Sequence, residues 1–103
     1  MARAQRVWNG TTTTAESEWA HFGEGQRFVT AFISNPSTKA FENKIEVSAG
    51  SSTSVITVLA NATSTGANAS RTSTGGAVFD KARVVSTGNL TTGVVKVWLA
   101  ATR

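Results

Sequence analysis

Cysteine is absent from this 103-residue chain, and so is tyrosine. Without cysteine the chain can form neither a disulfide nor a thiolate metal site. It also holds a single histidine, His21, and a single aspartate, Asp80, so few of the other common metal ligands are present. We therefore expect no metal and no cofactor. A domain this small has a modest core, so we expect it to gain further stability by associating with itself or with a partner.

Charge is also sparse, because only 16% of the residues are charged, although the formal net charge is +4 and the pI about 10.4. The basic residues are scattered, apart from Arg3 with Arg6 near the start and Lys81 with Arg83 later. A nucleic-acid-binding protein usually gathers basic residues on one face and interleaves them with aromatic ones. Nucleic acid is therefore an improbable partner, whereas an acidic protein surface would suit the positive charge.

Long apolar runs are missing from the chain as well. The first ten residues, MARAQRVWNG, are basic but polar almost at once. This pattern predicts neither a transmembrane segment nor a cleaved export signal.

The last quarter of the chain, residues 75–103, contains two apolar-rich runs at 77–85 and 93–101 on either side of a short polar segment. This pattern predicts two β-strands joined by a short loop, as a closing hairpin. In the second run Val95, Val97 and Leu99 alternate with Lys96 and Trp98, so the two sets occupy opposite faces of the strand. The alternation alone leaves open which of these faces is the core.

Further strands are predicted at residues 26–34, 41–48 and 53–60 by apolar alternation between turn residues. The first of these is apolar on both faces, with Phe28 and Phe32 on one and Val29, Ala31 and Ile33 on the other. That arrangement indicates burial on both sides, or one side covered by another subunit.

Two segments are harder to assign from their composition. Residues 16–22 favour strand or irregular structure. Residues 61–74 contain no large apolar side chain and predict a long exposed loop or a weak edge strand.

The strand count is seven or eight, with no long helical pattern. The prediction is an all-β chain, an antiparallel β-sandwich or jelly-roll-like small barrel, with jelly-roll and immunoglobulin-like topologies both open. We expect one domain over residues 1–103, with residues 1–14 as a possible N-terminal arm.

No pattern of residues indicates catalysis. His21 lies near Glu18 and Glu24 in the sequence, but the spacing suggests no third partner for an active site. No Gly-x-Ser-x-Gly sequence is present, and Gly75-Gly76 precedes a predicted strand, whereas a phosphate loop precedes a helix. We therefore expect a protein that is not an enzyme.

The aromatic residues offer the clearest indication of binding. Trp8, Trp19 and Trp98 are three indoles in a short chain. Tryptophan is enriched at interface hot spots and also serves as a stacking platform. Burial in the core is the competing explanation for each of them.

Taken together, the basic N-terminal segment MARAQRVWNG, the strands rich in Ser, Thr, Ala and Gly, and the closing segment FDKARVVSTGNLTTGVVKVWLAATR resemble the small β-sandwich accessory proteins of tailed-phage virions, in particular head decoration (cement) proteins. The resemblance implies a non-enzymatic protein that is made in the host cytoplasm, binds the major capsid protein on the outer capsid surface and stabilises the shell. It also implies a homo-oligomer, with a trimer favoured over a dimer.

On this view the expected contacts with capsid or with another copy involve the N-terminal arm, which could add to a neighbour's sheet edge. The expected contact residues are Arg3, Arg6, Val7, Trp8 and Trp98. The alternatives are a carbohydrate-binding or receptor-binding β-sandwich that uses Trp19 or Trp98 as a platform, and a neck or tail adaptor protein.

Overall fold

A computed structural model describes residues 4–8, 16–35, 41–50, 54–64, 66–75, 77–88 and 95–103. The strands in chain order are β1 (Gln5–Trp8), β2 (Ala20–Gln26), β3 (Phe28–Asn35), β4 (Phe41–Ser48), β5 (Ile56–Ser64), β6 (Gly66–Thr72), β7 (Phe79–Gly88) and β8 (Lys96–Thr102). They form two antiparallel four-stranded sheets, which we call sheet A (β1-β8-β3-β6) and sheet B (β2-β7-β4-β5). The predicted all-β sandwich is confirmed.

The strand order follows a simple rule. The first strand pairs with the last, β2 with β7, β3 with β6, and β4 with β5. The pairs β3–β8 and β4–β7 then complete the two sheets. This nested pairing of eight strands is the jelly-roll arrangement. An immunoglobulin-type sandwich instead places its first strand beside its second, and here those two strands lie in different sheets.

The core lies between the two sheets and is built by residues that alternate along the strands. On β3 the buried residues are Val29, Ala31 and Ile33, and on β8 they include Val97 and Leu99. Because side chains of a strand point alternately to its two faces, these residues form one continuous inner surface. The full buried cluster comprises Trp8, Val29, Ala31, Ile33, Phe41, Ile45, Val47, Phe79, Ala82, Val84, Val95, Val97, Leu99 and Ala101.

A single arginine joins the two sheets at the side where β5 and β6 lie. Arg71 of β6 stands opposite the buried Ala31, so its side chain points inward. Its Nη1 donates to the Ala60 carbonyl at 2.6 Å, and its Nη2 donates to the carbonyl and to Oδ1 of Asn43 at 2.8 and 2.7 Å. Desolvation by burial lowers the pKa of Arg71. The hydrogen bonds offset that desolvation and connect strands of both sheets.

The closing hairpin predicted for the last quarter of the chain is not formed. The two strands exist, but β7 lies in sheet B between β2 and β4, whereas β8 lies in sheet A between β1 and β3. The polar segment between them is longer than the two-residue turns that force neighbouring strands to pair. The chain therefore passes from one sheet to the other, and each strand finds partners that are distant in sequence.

The segment of residues 61–74, predicted as a loop or weak edge strand, is mostly strand. It supplies the end of β5 and all of β6. The Ser73 N–H extends the pairing by donating to the Val29 carbonyl at 2.9 Å. The segment of residues 16–22, for which strand or irregular structure was favoured, contains an isolated bridge at Glu16 and the start of β2.

Candidate protein-binding surface

The register of sheet A places one row of side chains across its outer surface. Arg6 of β1 lies opposite Trp98 of β8, Trp98 lies opposite Phe32 of β3, and Phe32 lies opposite Ser70 of β6. Directly paired residues project from the same face of a sheet. The row is flanked by a second pair, Ser34 and Lys96. We call these six residues the aromatic face.

The aromatic face is apolar at its centre and open to solvent. Phe32 is 44% exposed and Trp98 is half-buried, while their neighbours Ile33, Val97 and Leu99 are buried. A depression of about 240 Å³ lies beside the two rings and is lined by Phe32, Ile33, Ser34, Ala69, Ser70 and Trp98. The alternation in β8 therefore resolves with Trp98 on the outside and the aliphatic residues inside.

The charges on this face are positive and unbalanced. Arg6 and Lys96 are both exposed, and neither forms an ion pair with any residue that the structure describes. The paired positions across the row and its flank carry aromatic and hydroxyl side chains, with no carboxylate among them. A partner surface with acidic groups around an apolar centre would complement such a face.

The outer surface of sheet B has a different character, because several of its charges pair with one another. Arg83 contacts Glu16 at 3.0 Å and Glu46 at 2.9 Å, and Lys44 contacts Glu46 at 3.4 Å. Glu46 and Arg83 are partners across β4 and β7, which places them side by side. Within the described residues, all three ion pairs lie on this sheet.

Trp19 belongs to this charged surface. The Lys81 Nζ lies 4.9 Å and the Arg83 Cζ 4.5 Å from its ring centroid. Cations at these distances from an indole are favourable cation–π contacts. The ring of Trp19 is therefore already engaged by two side chains of its own chain, unlike Phe32 on the aromatic face.

A larger depression of about 870 Å³ lies near the start of β7 and is lined by Glu24, Gly25, Ala49, Gly50, Val78, Phe79, Asp80 and Arg103. One Asp80 carboxylate oxygen accepts a hydrogen bond from the Gly50 N–H at 2.9 Å. The described residues that line it include neither a histidine nor a hydroxyl side chain.

The residues expected at intermolecular contacts have different locations. Arg6 and Trp98 are brought together on the aromatic face, and Arg3 lies outside the described residues. Val7 is half-buried and packs against the core. Of the predicted arm, residues 5–8 form β1, and residues 1–3 and 9–14 lie outside the described part.

Trp8 lies in the interior, which corrects its expected place at a contact with a neighbour. It is 1% exposed, and its ring centroid is 5.4 Å from that of Phe41. A register shift between Arg6 and Trp8 turns the indole inward while Arg6 stays on the outer face. The side chain fills the core and is not available to a neighbour.

Phe32 and Lys96 were not among the expected contact residues. The signal for Phe32 was present, because the strand that carries it is apolar on both faces, which indicated either burial on both sides or one side covered by another subunit. Alternation along β8 already put Lys96 on the same face as Trp98, and the register with β3 places it opposite Ser34 beside the row.

His21 is exposed on β2 opposite Lys81, and Glu24 is also exposed. Nowhere in the described ranges do three or more His, Asp or Glu side chains gather closely enough to hold a metal ion. The same ranges contain no helix long and apolar enough to cross a membrane. Comparison with protein-family models, with curated proteins and with solved structures finds no match to this chain.

Proposed function

We propose that this chain is a non-enzymatic structural protein of a tailed-phage virion that binds the outer capsid surface through its aromatic face and stabilises the shell. The partner in this proposal is the major capsid protein, and the site of action is the surface of the virion. The proposal also includes association between copies of the chain on that surface.

The observation that carries the proposal is the aromatic face itself. It combines two exposed or half-exposed rings with two cations that have no ion-pair partner in the described structure. Aromatic residues and arginine are the side chains enriched in the cores of protein interfaces. Because the described ion pairs all lie on the other sheet, the unpaired cations and rings of this face favour it as the docking side.

The fold supports a mechanical role. Two hydrogen-bonded sheets joined by Arg71 form a stiff body, and a stiff body loses little freedom on binding. A protein that covers a joint between capsid subunits opposes their separation by the free energy of the area it buries. Many copies on one shell then add their contributions without any catalytic residue.

Binding to capsids that lack the protein tests the proposal. Truncation of Trp98 to Ala, alone and with Phe32→Ala, is expected to weaken binding at least about tenfold, the effect of losing an interface hot spot. Val78→Ala is the matched control, because Val78 is 52% exposed and lies away from sheet A's outer surface. Co-sedimentation with capsids at graded protein concentrations measures the occupancy. Unchanged occupancy in the double variant would refute the assignment.

A charge-reversal experiment tests the expected acidic partner. Arg6→Glu with Lys96→Glu removes both cations from the face and leaves its rings in place. The double variant is expected to bind more slowly, and added salt is expected to speed its association, because salt screens the repulsion between the two glutamates and an acidic surface. Equal binding by this variant and by the unaltered protein would exclude an acidic docking surface.

Carbohydrate binding is the second candidate, because Trp98 and Phe32 lie beside the hydroxyls of Ser34 and Ser70. The jelly roll serves lectins as well as viral capsid domains. Arg6 and Lys96 have no ion-pair partner among the described residues, and these two cations favour an acidic protein over a neutral sugar. Binding to a glycan array that disappears in Trp98→Ala, without any binding to capsids, would favour the lectin function.

A neck or tail adaptor would use the same kind of docking face on a different part of the particle. Electron microscopy of the labelled protein on intact virions separates these locations. Label over the whole head is the result expected for decoration, and label confined to the neck or tail would favour the adaptor.

A further inference from the structure

The larger depression, beside the start of β7, has no part in the function proposed above. It lies at the end of the sandwich where β2, β4 and β8 end and β7 begins, and it shares no residue with the aromatic face. Its volume of about 870 Å³ lies within the roughly 300–1,000 Å³ of typical small-molecule sites.

The irregular end of β2 forms one wall of this depression, and hydrogen bonds hold that wall in place. The Gln26 Nε2 donates to the carbonyls of Phe22 and Gly23 at 3.0 and 3.3 Å. The Arg103 Nη2 donates to the Glu24 carbonyl at 3.1 Å. The register of β2 against β7 shifts along this stretch, and such irregularities re-aim side chains beside binding sites.

The charged groups of the depression are two carboxylates, Glu24 and Asp80, and one guanidinium, Arg103. None of the three forms an ion pair with a residue that the structure describes. Oδ2 of Asp80 accepts a hydrogen bond from the Gly50 N–H at 2.9 Å, whereas Oδ1 is buried and has no hydrogen-bond partner among the described residues. The protein therefore compensates the Asp80 charge only in part, although the formal net charge of the chain is +4.

An aliphatic surface lies beside these carboxylates. Val78 is 52% exposed and lines the depression together with Ala49. Binding sites combine apolar walls with a few polar groups that orient the ligand, so this combination matches a ligand with an aliphatic stem and a cationic end. A calcium ion fits less well, because it takes at least about six oxygen ligands and the described lining offers two carboxylates.

We propose that this depression binds an organic cation, with a primary ammonium group at the Asp80 carboxylate and an aliphatic stem against Val78. A free alkylamine and a lysine side chain both carry this chemistry. Glu24, which is exposed, would add attraction for the cation. Arg103 would repel a second cationic group, so a single ammonium is favoured over a polyamine.

Nuclear magnetic resonance of the isotope-labelled protein tests the proposal by titration at constant ionic strength. The probe is pentylamine, which is protonated at about pH 7, and pentanol is the neutral control with the same stem. Pentylammonium is expected to cause saturable amide shifts at Gly25, Gly50 and Asp80, with half-saturation at about 1 mM. Pentanol is expected to bind at least about tenfold more weakly, because it lacks the charge.

Variants locate the bound ammonium group. Asp80→Asn removes the charge and keeps an oxygen that can accept from the Gly50 N–H, and it is expected to weaken binding at least about tenfold. Glu24→Gln alters an exposed residue, so it tests the site without risk to the fold, and a loss of about threefold is expected. Glu18→Gln is the matched control, because it removes one exposed carboxylate outside the depression and should leave the affinity unchanged. Circular dichroism confirms that each variant is folded.

A lysine blocked at both its amino and carboxyl ends distinguishes the two sources of the ammonium group. Binding as tight as that of pentylammonium would assign the site to a lysine of another protein, and much weaker binding would assign it to a free amine.

Several results would overturn the proposal. They are the absence of saturable shifts up to about 100 mM pentylammonium, equal affinity for pentanol, and equal binding by Asp80→Asn and Glu24→Gln. Saturation of the same amides by calcium chloride and not by the amine would make this a metal site instead. None of these results bears on capsid binding, since the aromatic face has no residue in common with the depression.

Discussion

At the scale of single residues, the interior depends on Trp8, a side chain near the start of the chain that closes the core against Phe41. Its indole Nε1 is buried and has no hydrogen-bond partner among the residues that the structure describes. A buried polar group without a partner costs free energy, so Trp8 stabilises the fold through its apolar area alone.

Two substitutions of Trp8 are expected to have unequal effects on stability. Trp8→Ala is expected to lower the free energy of unfolding by about 3–5 kcal/mol, because it leaves a large cavity. Trp8→Phe keeps a ring against Phe41 and removes the unpaired N–H, so its loss is expected to be about 1 kcal/mol. Urea unfolding followed by circular dichroism measures both. If Trp8→Ala were as stable as Trp8→Phe, Trp8 would not be a core residue.

Substitution of Arg71 tests whether the free energy gained from its hydrogen bonds exceeds the cost of desolvating its guanidinium between the sheets. Arg71→Met keeps much of the volume but leaves the Asn43 and Ala60 acceptors without the guanidinium. The expected loss is about 2 kcal/mol, since hydrogen bonds to charged groups exceed neutral ones. Arg71→Lys lacks the planar guanidinium that reaches both acceptors, so its stability is expected to lie between those of the unaltered protein and Arg71→Met.

Denaturant midpoints of the three proteins provide the comparison. An Arg71→Met variant as stable as the original would show that the desolvation that lowers the pKa of Arg71 cancels its hydrogen bonds.

At the scale of elements, the turn that follows β6 depends on a glycine. Gly75 has φ of 92°, and a Cβ built on it would lie 3.1 Å from Cε1 of Phe28. Gly23 has φ of 83°, with open space around the same position. Comparing substitutions at Gly23 and Gly75 therefore separates the cost of a positive φ from the cost of a steric clash with Phe28.

Both Gly23→Ala and Gly75→Ala are expected to destabilise the protein by about 1 kcal/mol through the positive φ. Gly75→Ala should lose more, because the Phe28 ring has to move. Thermal unfolding of the two variants under identical conditions checks the order. Equal melting temperatures would mean that Phe28 accommodates the methyl group without cost.

Several elements could be predicted from the sequence because their information is local. The alternation of Val97 and Leu99 with Trp98 defined β8 and its two faces. The two apolar faces of β3 indicated burial on both sides or one side covered by another subunit. The partners of these strands could not be predicted. Nested pairing joins β1 to β8 and β2 to β7, and no residue pattern within a strand specifies so distant a neighbour.

The residues of the candidate site could likewise not be brought together from the sequence alone. Arg6 and Trp98 were both expected to contact a partner, but their separation in sequence gave no reason to place them on one row. Trp8 was misassigned because burial of its indole depends on a register shift in β1, which alternation alone does not reveal. Phe32 joins the site only through its pairing with Trp98.

At the scale of the whole molecule, the outer surfaces of the two sheets differ in whether their charged side chains form ion pairs. Sheet B pairs Glu16 and Glu46 with Arg83 and Lys44, and two of its cations contact the ring of Trp19. Sheet A leaves its rings and its cations without such partners in the described structure. A jelly roll whose charges are paired on one face and unpaired on the other is suited to bind a surface in one orientation, with sheet A in contact and sheet B facing solvent. The central claim is therefore one of orientation.

Electron cryomicroscopy of capsids saturated with the purified protein tests that claim most directly. The account predicts density on the outside of the shell in which Trp98, Phe32 and Arg6 face acidic groups of the capsid protein and sheet B faces solvent. Density with sheet B against the shell, or capsids that stay bare at saturating protein, would contradict it.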